Sequence, residues 1–284
     1  MNHRFQLVDV FSDQAFMGNP VAVVFDADNL ATDVLQQITR WLNLSETVFL
    51  LAPTTSDADY RVRIFTLDRE MPFAGHPTLG CCHAWLAAGG VPRRANRIIQ
   101  ECGAGLVAIR QGERALAFAA PPLIRSGPVT EAELENIIQV LRIKRSQVVD
   151  AHWADNGPGW VVVLLESAED VLAVEPAPGP FARVDIGIVG PYVAENNGDG
   201  KPEFELRAFF TDHHGRLTED PVTGSLNAST AQWLLATGRA RAPYMASQGT
   251  RLGRAGRIHI SQDGDGSIWV GGDTTTLFTG SCTI

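Results

Sequence analysis

Three polar side chains stand out: His76 and Asp220, each directly before a proline in a glycine-containing elbow, and Glu46, at a junction between a helix and a strand. His76 precedes Pro77 in FAGHPTLG (73–80), a Gly/Pro-rich elbow that leads into a run of small, apolar residues. Proline in the first turn of a helix gives up an N–H that has no partner there. The elbow therefore reads as a helix start with His76 just before it. Free amides at such a start attract anions, so a carboxylate or phosphate could sit beside the imidazole. Asp220 precedes Pro221 in EDPVTGS (219–225), ahead of a second largely apolar helix. Taken singly, Asp220 is an ordinary N-cap and His76 an ordinary hydrogen-bonding turn residue. Recurrence is what points to chemistry. Arg63 opens R-I-F-T, with His-Pro-x-x-Gly 13 residues on; Arg207 opens R-A-F-F, with Asp-Pro-x-x-Gly 13 residues on. Such self-similarity marks a duplication. Two similar halves would bring two helix starts to a shared cleft, His76 on one side and Asp220 on the other. The second helix reads about one turn longer than the first.

Glu46 lies in NLSET (43–47), at a helix-to-strand junction. A lone glutamate is ordinarily a solvated loop carboxylate, but Leu44, Val48 and Phe49 allow partial burial here. Burial raises a carboxyl pKa towards neutrality, which suits a proton shuttle. Ser45 and Ser225 offer hydroxyls that capping and turn formation would also explain. Thr223, Gly224 and Ser225 stand in the second helix's first turn, where backbone amides could hold a substrate carboxylate. Other motifs read as structural. GAGLVA (103–108) imitates a dinucleotide fingerprint, but a strand follows where a helix is needed. His213-His214 lacks a third ligand at a recognised spacing. Cys81 and Cys82 fall inside the apolar helix, away from its elbow.

The elements that must position these groups follow from periodicity. Residues 5–11 and 21–25 read as strands around the turn MGNP, and 33–42 as a helix with Thr32 as N-cap. Alternating Tyr60, Val62 and Ile64 make a strand before the first elbow. Residues 97–101, 105–110 and 114–118 read as short strands, with Gln111-Gly112-Glu113 as a turn. APPLIRSGP (120–128) is the best domain boundary. Thr130 and Glu133 form a capping box for a helix burying Leu134, Ile137, Ile138 and Leu141. Strand-like runs follow at 160–165, 184–189 and 204–210, then the helix 225–237, and more strands from Arg257 to Phe278. The 284 residues suit two domains, and a net charge of −9 argues against nucleic acid as partner. The polar opening Met1–Gln6 reads as lacking a signal peptide, and no apolar run reaches the roughly 18 residues of a membrane span. Four scattered cysteines fit reduced thiols, and a cytoplasmic location is expected.

Together VDVF (8–11), GNPVAVV (18–24), NLSETVFL (43–50), RIFT (63–66), EMPFAGHPTLG (70–80), EDPVTGS (219–225) and QGTRLGR (248–254) resemble the PhzF-like phenazine-biosynthesis isomerases, related in fold to diaminopimelate epimerase. The resemblance implies an α+β chain of two pseudo-repeated epimerase-like domains, each a β-barrel-like roll around a central helix. They would span 1–120, completed by a final strand at about 275–284, and 121–274. It further implies an active site between the domains, a homodimer and no cofactor. By position, Glu46 looks like the catalytic acid/base, His76 and Asp220 like its substrate-orienting partners, and Ser45, Gly75, Gly224 and Ser225 like the lining of the site. Epimerase relatives place a cysteine at each elbow; this chain has Gly75-His76 and Glu219-Asp220 there, which argues against racemisation. A cofactor-independent isomerase of a small carboxylate-bearing molecule is expected, against a non-catalytic binding or scaffold protein and against a racemase. Leu67 stands where proline is usual, and Cys81-Cys82 where small residues are common.

Overall fold

A computed structural model describes residues 2–95, 97–112, 115–179, 181, 183–193, 200–212 and 214–284. The chain divides into two units, Met1–Ala119 with Gly271–Ile284, and Ala120–Val270. The first unit opens with β1 (Asn2–Val10), β2 (Asn19–Val24), α1 (Thr32–Leu42), β3 (Glu46–Leu51), β4 (Tyr60–Thr66) and β5 (Glu70–Met71). It continues through α2 (Gly75–Ala87), β6 (Arg97–Cys102), β7 (Gly105–Gln111) and β8 (Leu116–Ala119). The second unit holds β9 (Arg125–Pro128), α3 (Glu131–Leu141), β10 (Val148–Asp155), β11 (Val161–Leu165), α4 (Ala168–Ala173), β12 (Asp185–Pro191), β13 (Phe204–Thr211) and β14 (Leu217–Asp220). Then come α5 (Gly224–Ala236), β15 (Tyr244–Gln248), β16 (Gly256–Gln262) and β17 (Ile268–Gly272). The closing strand β18 (Thr274–Thr283) returns to the first unit and pairs antiparallel with β1. The architecture is α+β, with strands rolled about a helix.

In the first unit that helix is α2, which touches β1, β2, β3, β6, β8 and β18. Leu79, Cys81, Cys82 and Ala84 are buried on it, as expected of a helix without a polar stripe. Gly80 makes the fit possible, since a Cβ there would lie 2.3 Å from Val21 Cγ1 on β2. A second layer forms where Leu35 of α1 packs with Val24, Phe49, Leu51 and Phe65. In the second unit Leu134, Ile137 and Leu141 of α3 bury against Val163, Ile186, Ile188 and Phe209.

Local expectations are partly met. The Thr130–Glu133 capping box forms in full. Thr32, by contrast, is the first helical residue; Ala31 occupies the cap, and the Thr32 hydroxyl accepts a hydrogen bond from Arg63 Nη2. The helix α2 begins at Gly75, so His76 lies in its first turn, because Pro77 needs no amide partner at the third position either. With those residues included, α2 and α5 are both 13 residues long, and the extra turn expected of the second disappears. Among the described residues five strands escape prediction: the two-residue β5, β9 inside the Pro/Gly-rich stretch, β10 to which it pairs, β14 and β15. Gln111 ends β7, while Glu113 and Arg114 lie outside the described residues.

Candidate active site

Glu46 is the first residue of β3, paired with Thr66 of β4, at the junction where the sequence places it. Ser45, partly buried, immediately precedes it. Gly75 and His76 are the first two residues of α2, after an extended Ala74 at the cap. The two elements bring Glu46 Oε2 to 3.5 Å from His76 Nε2, with the glutamate side chain 19% exposed and the imidazole 4%. On the other ring nitrogen, Asn19 Nδ2 lies 3.4 Å from His76 Nδ1. Burial lowers the His76 pKa from its ordinary value to about 3, opposed only in part by a hydrogen bond to the backbone of Pro20. The imidazole is therefore neutral at physiological pH. A bare Nε2 can accept a hydrogen bond from a carboxylic acid at Glu46, and an Nε2–H can donate one to the carboxylate, while the proton itself stays with the carboxyl group. A part-buried carboxyl group beside a neutral imidazole is an arrangement that can accept and return a proton.

Asn19 carried no expected role, though it lies in the GNPVAVV run. Its delivery depends on Asp9, a buried carboxylate whose Oδ2 accepts from the amides of Met17 at 3.0 Å and Gly18 at 3.1 Å. Gly18 tolerates no side chain, since a Cβ would fall 2.2 Å from the Val10 carbonyl oxygen. The available signal was an aspartate inside the apolar strand VDVF, at a position where a solvated charge has no place.

In the second unit Asp220 ends β14, paired with Ala208, rather than capping α5. The cap residue is Thr223, whose Oγ1 donates to Asp220 Oδ2 at 2.5 Å. Gly224 and Ser225 are the first two residues of α5. The Ser225 hydroxyl accepts from Trp160 Nε1 at 3.0 Å, and its carbonyl from Asn156 Nδ2 at 2.9 Å. Neither α2 nor α5 has a side-chain cap or an acidic residue in its first turn. Both helix starts thus keep amides suited to an anion.

The internal repeat is real, but its register differs from the 13-residue match. Phe65 pairs with Glu70 across β4–β5, and Phe209 with Glu219 across β13–β14. Each arginine two residues earlier grips that glutamate bidentately: Arg63 at 2.8 and 2.6 Å, Arg207 at 2.9 and 2.8 Å. Each guanidinium also lies over the aromatic ring, at 5.1 Å for Phe65 and 4.9 Å for Phe209. Matching the glutamates aligns Met71-Pro72-Phe73-Ala74-Gly75-His76 with Asp220-Pro221-Val222-Thr223-Gly224-Ser225. The counterpart of His76 is therefore Ser225, and that of Asp220 is Met71; the longer hairpin before β14 misled the spacing.

The other motifs are structural. GAGLVA forms the β6–β7 hairpin, so no helix follows its glycines. His214 is exposed and its amide bonds to Asp212, while His213 lies outside the described residues. Burial pushes the Cys82 thiol up to about 12 and raises that of Cys81 as well.

The phenazine biosynthesis-like protein family (PhzC-PhzF) matches residues 8–280, and the chain belongs to that family. It is 36% identical to "Antisense-enhancing sequence 1" of Schizosaccharomyces pombe, over 98% of both chains. It is 32% identical to the trans-2,3-dihydro-3-hydroxyanthranilate isomerase of Pseudomonas aeruginosa, over 93% of this chain and 92% of that one. Among solved structures, the Bacillus anthracis phenazine biosynthesis protein of the PhzF family superposes with a TM-score of 0.83 at 20% identity, covering all of both chains. With relatives of these kinds, the chain is an isomerase.

Proposed function

We propose that this isomerase moves a proton between two carbons of a small carboxylate-bearing metabolite of the trans-2,3-dihydro-3-hydroxyanthranilate type, using its own side chains and no cofactor. The observation that carries the reading is the Glu46–His76 pair at 3.5 Å, with the imidazole buried and neutral. The Glu46 carboxylate takes a proton from one carbon, the electron pair released shifts the adjacent double bond, and the carboxylic acid returns the proton to a second carbon on the same face. His76 stays neutral and orients the carboxyl group. In this reading Asp220 faces the substrate, Ser45 and Gly75 line the site, and the Gly224 and Ser225 amides take the substrate carboxylate. A homodimer in the cytoplasm belongs to the same reading, and sedimentation of the purified protein tests its assembly.

Racemisation needs two bases on opposite faces. The caps of α2 and α5 are Ala74 and Thr223, and the thiols of Cys81 and Cys82 lie deeper in α2 with their pKa values raised. A binding protein without turnover is the competing class, since one relative bears a name without an activity. Incubation with trans-2,3-dihydro-3-hydroxyanthranilate, followed chromatographically, separates them. Conversion supports the isomerase; a ligand that raises the melting temperature and is recovered unchanged supports the binding protein.

A further inference from the structure

We infer that Thr223 and Gln248 are positioning residues that hold the Asp220 carboxylate as a hydrogen-bond acceptor of fixed orientation; the inference rests on the reading that Asp220 faces the substrate. Gln248 is fully buried at the end of β15. Its amide has only one possible orientation. Oε1 accepts from the Thr223 backbone N–H at 3.0 Å, and Nε2 donates to the Asp220 backbone carbonyl at 3.1 Å. Neither backbone group can exchange roles, so oxygen and nitrogen are assigned by their partners. Asn227, also buried, reinforces this by donating from Nδ2 to Gln248 Oε1 at 2.8 Å and to the Thr223 carbonyl at 2.9 Å.

The consequence passes to the hydroxyl. Gln248 Nε2 donates a second hydrogen bond to Thr223 Oγ1 at 2.9 Å, occupying a lone pair there. The threonine proton is directed to Asp220 Oδ2, 2.5 Å away. The chain of donation therefore runs one way, from Gln248 through Thr223 to Asp220, and its last member receives.

Helix capping does not account for this arrangement. A threonine at the cap ordinarily turns its oxygen to the second or third amide of the helix. Thr223 holds the cap of α5 yet makes no such bond. Its hydroxyl serves the aspartate, and the leading amides of α5 stay open to an anion. One residue thus orients the carboxylate and leaves the neighbouring helix start unoccupied. In the first unit the same cap position is Ala74, which can do neither, and Met71 stands in Asp220's place. The device exists in one half of the repeat only.

The test compares Thr223→Val, which keeps the shape and loses the hydroxyl, with Thr223→Ser, which keeps the hydroxyl. In crystal structures of both variants, the Asp220 carboxylate should leave its position in T223V and keep it in T223S. With trans-2,3-dihydro-3-hydroxyanthranilate as probe, T223V should lose about 10- to 100-fold in kcat with little change in KM, the range expected for one hydrogen bond to a charged group. T223S should recover most of it. An Asp220 that stays in place in T223V, or a kcat equal to the parent's, overturns the inference. Asp220→Asn, assayed alongside, isolates the reading beneath it: full activity in D220N defeats that reading, whereas an inactive D220N with an unaffected T223V defeats only the relay.

Discussion

Replacing Arg207 with methionine should unfold the protein far more readily than the same change at Arg63, although the two occupy equivalent places in the repeat. The difference is burial. The Arg207–Glu219 pair has side-chain exposures of 4% and 12%, against 26% and 39% for Arg63–Glu70. Arg207 also spends Nη1 on the carbonyls of Val171 at 3.1 Å and Val174 at 2.6 Å, tying α4 to β13. Removing one partner of a buried pair strands the other charge away from water and costs about 3–5 kcal/mol. A half-exposed pair is hydrated when broken and gives up about 0.2–1 kcal/mol. At about 2–4 °C per kcal/mol for a unit of this size, R207M should lower Tm by roughly 6–20 °C and R63M by no more than about 4 °C. Differential scanning calorimetry of both variants reads this directly. The double variant R207M/E219M should regain part of the loss, because it removes the stranded carboxylate as well. Equal shifts for R207M and R63M, or a double variant worse than the sum of its singles, would refute the reasoning.

Two further outcomes follow from the buried titratable groups. The pKa of His76 is lowered in the fold to about 3, so between pH 6.5 and 3 the unfolded chain binds a proton that the native one does not. Its contribution is complete above pH 6.5 and is lost as pH falls to 3; urea midpoints measured across that range should fall less steeply for His76→Gln than for the parent protein. Burial also keeps the Cys81 and Cys82 thiols protonated, so in the native state they should react with a disulfide reagent much more slowly than the part-exposed Cys102 and Cys282, as peptide mass spectrometry would report.

How far the sequence carries is clearest at the two elbows. Composition and the absence of a polar stripe suffice to bury α2 and α5, because a largely apolar helix that carries no charged side chain belongs inside its unit. Thr130 and Glu133 act through bonds three residues apart, so their capping box is legible without the fold. Register is another matter. The equivalence of Glu70 with Glu219 is set by cross-strand pairing, and a hairpin insertion moves it without leaving a mark on either helix. Linear spacing therefore paired His76 with Asp220, where the strands pair it by position with Ser225. Long-range partners were hidden for the same reason. Asn19 reaches His76 across 57 positions, and Gln248 reaches Thr223 across 25, with nothing local to announce either. Glu46 was found through its motif, and its approach to His76 was a matter for the fold.

Deuterium incorporation tests the central claim, that one carboxyl group carries the proton. With trans-2,3-dihydro-3-hydroxyanthranilate in D₂O, the parent enzyme and Cys81→Ala should turn over and place deuterium on carbon in the product whenever the Glu46 carboxylic acid exchanges with solvent before it returns its proton, while Glu46→Gln should show neither incorporation nor turnover. Incorporation at the parental rate in E46Q would assign the proton to another group and leave the Glu46–His76 pair without its chemistry.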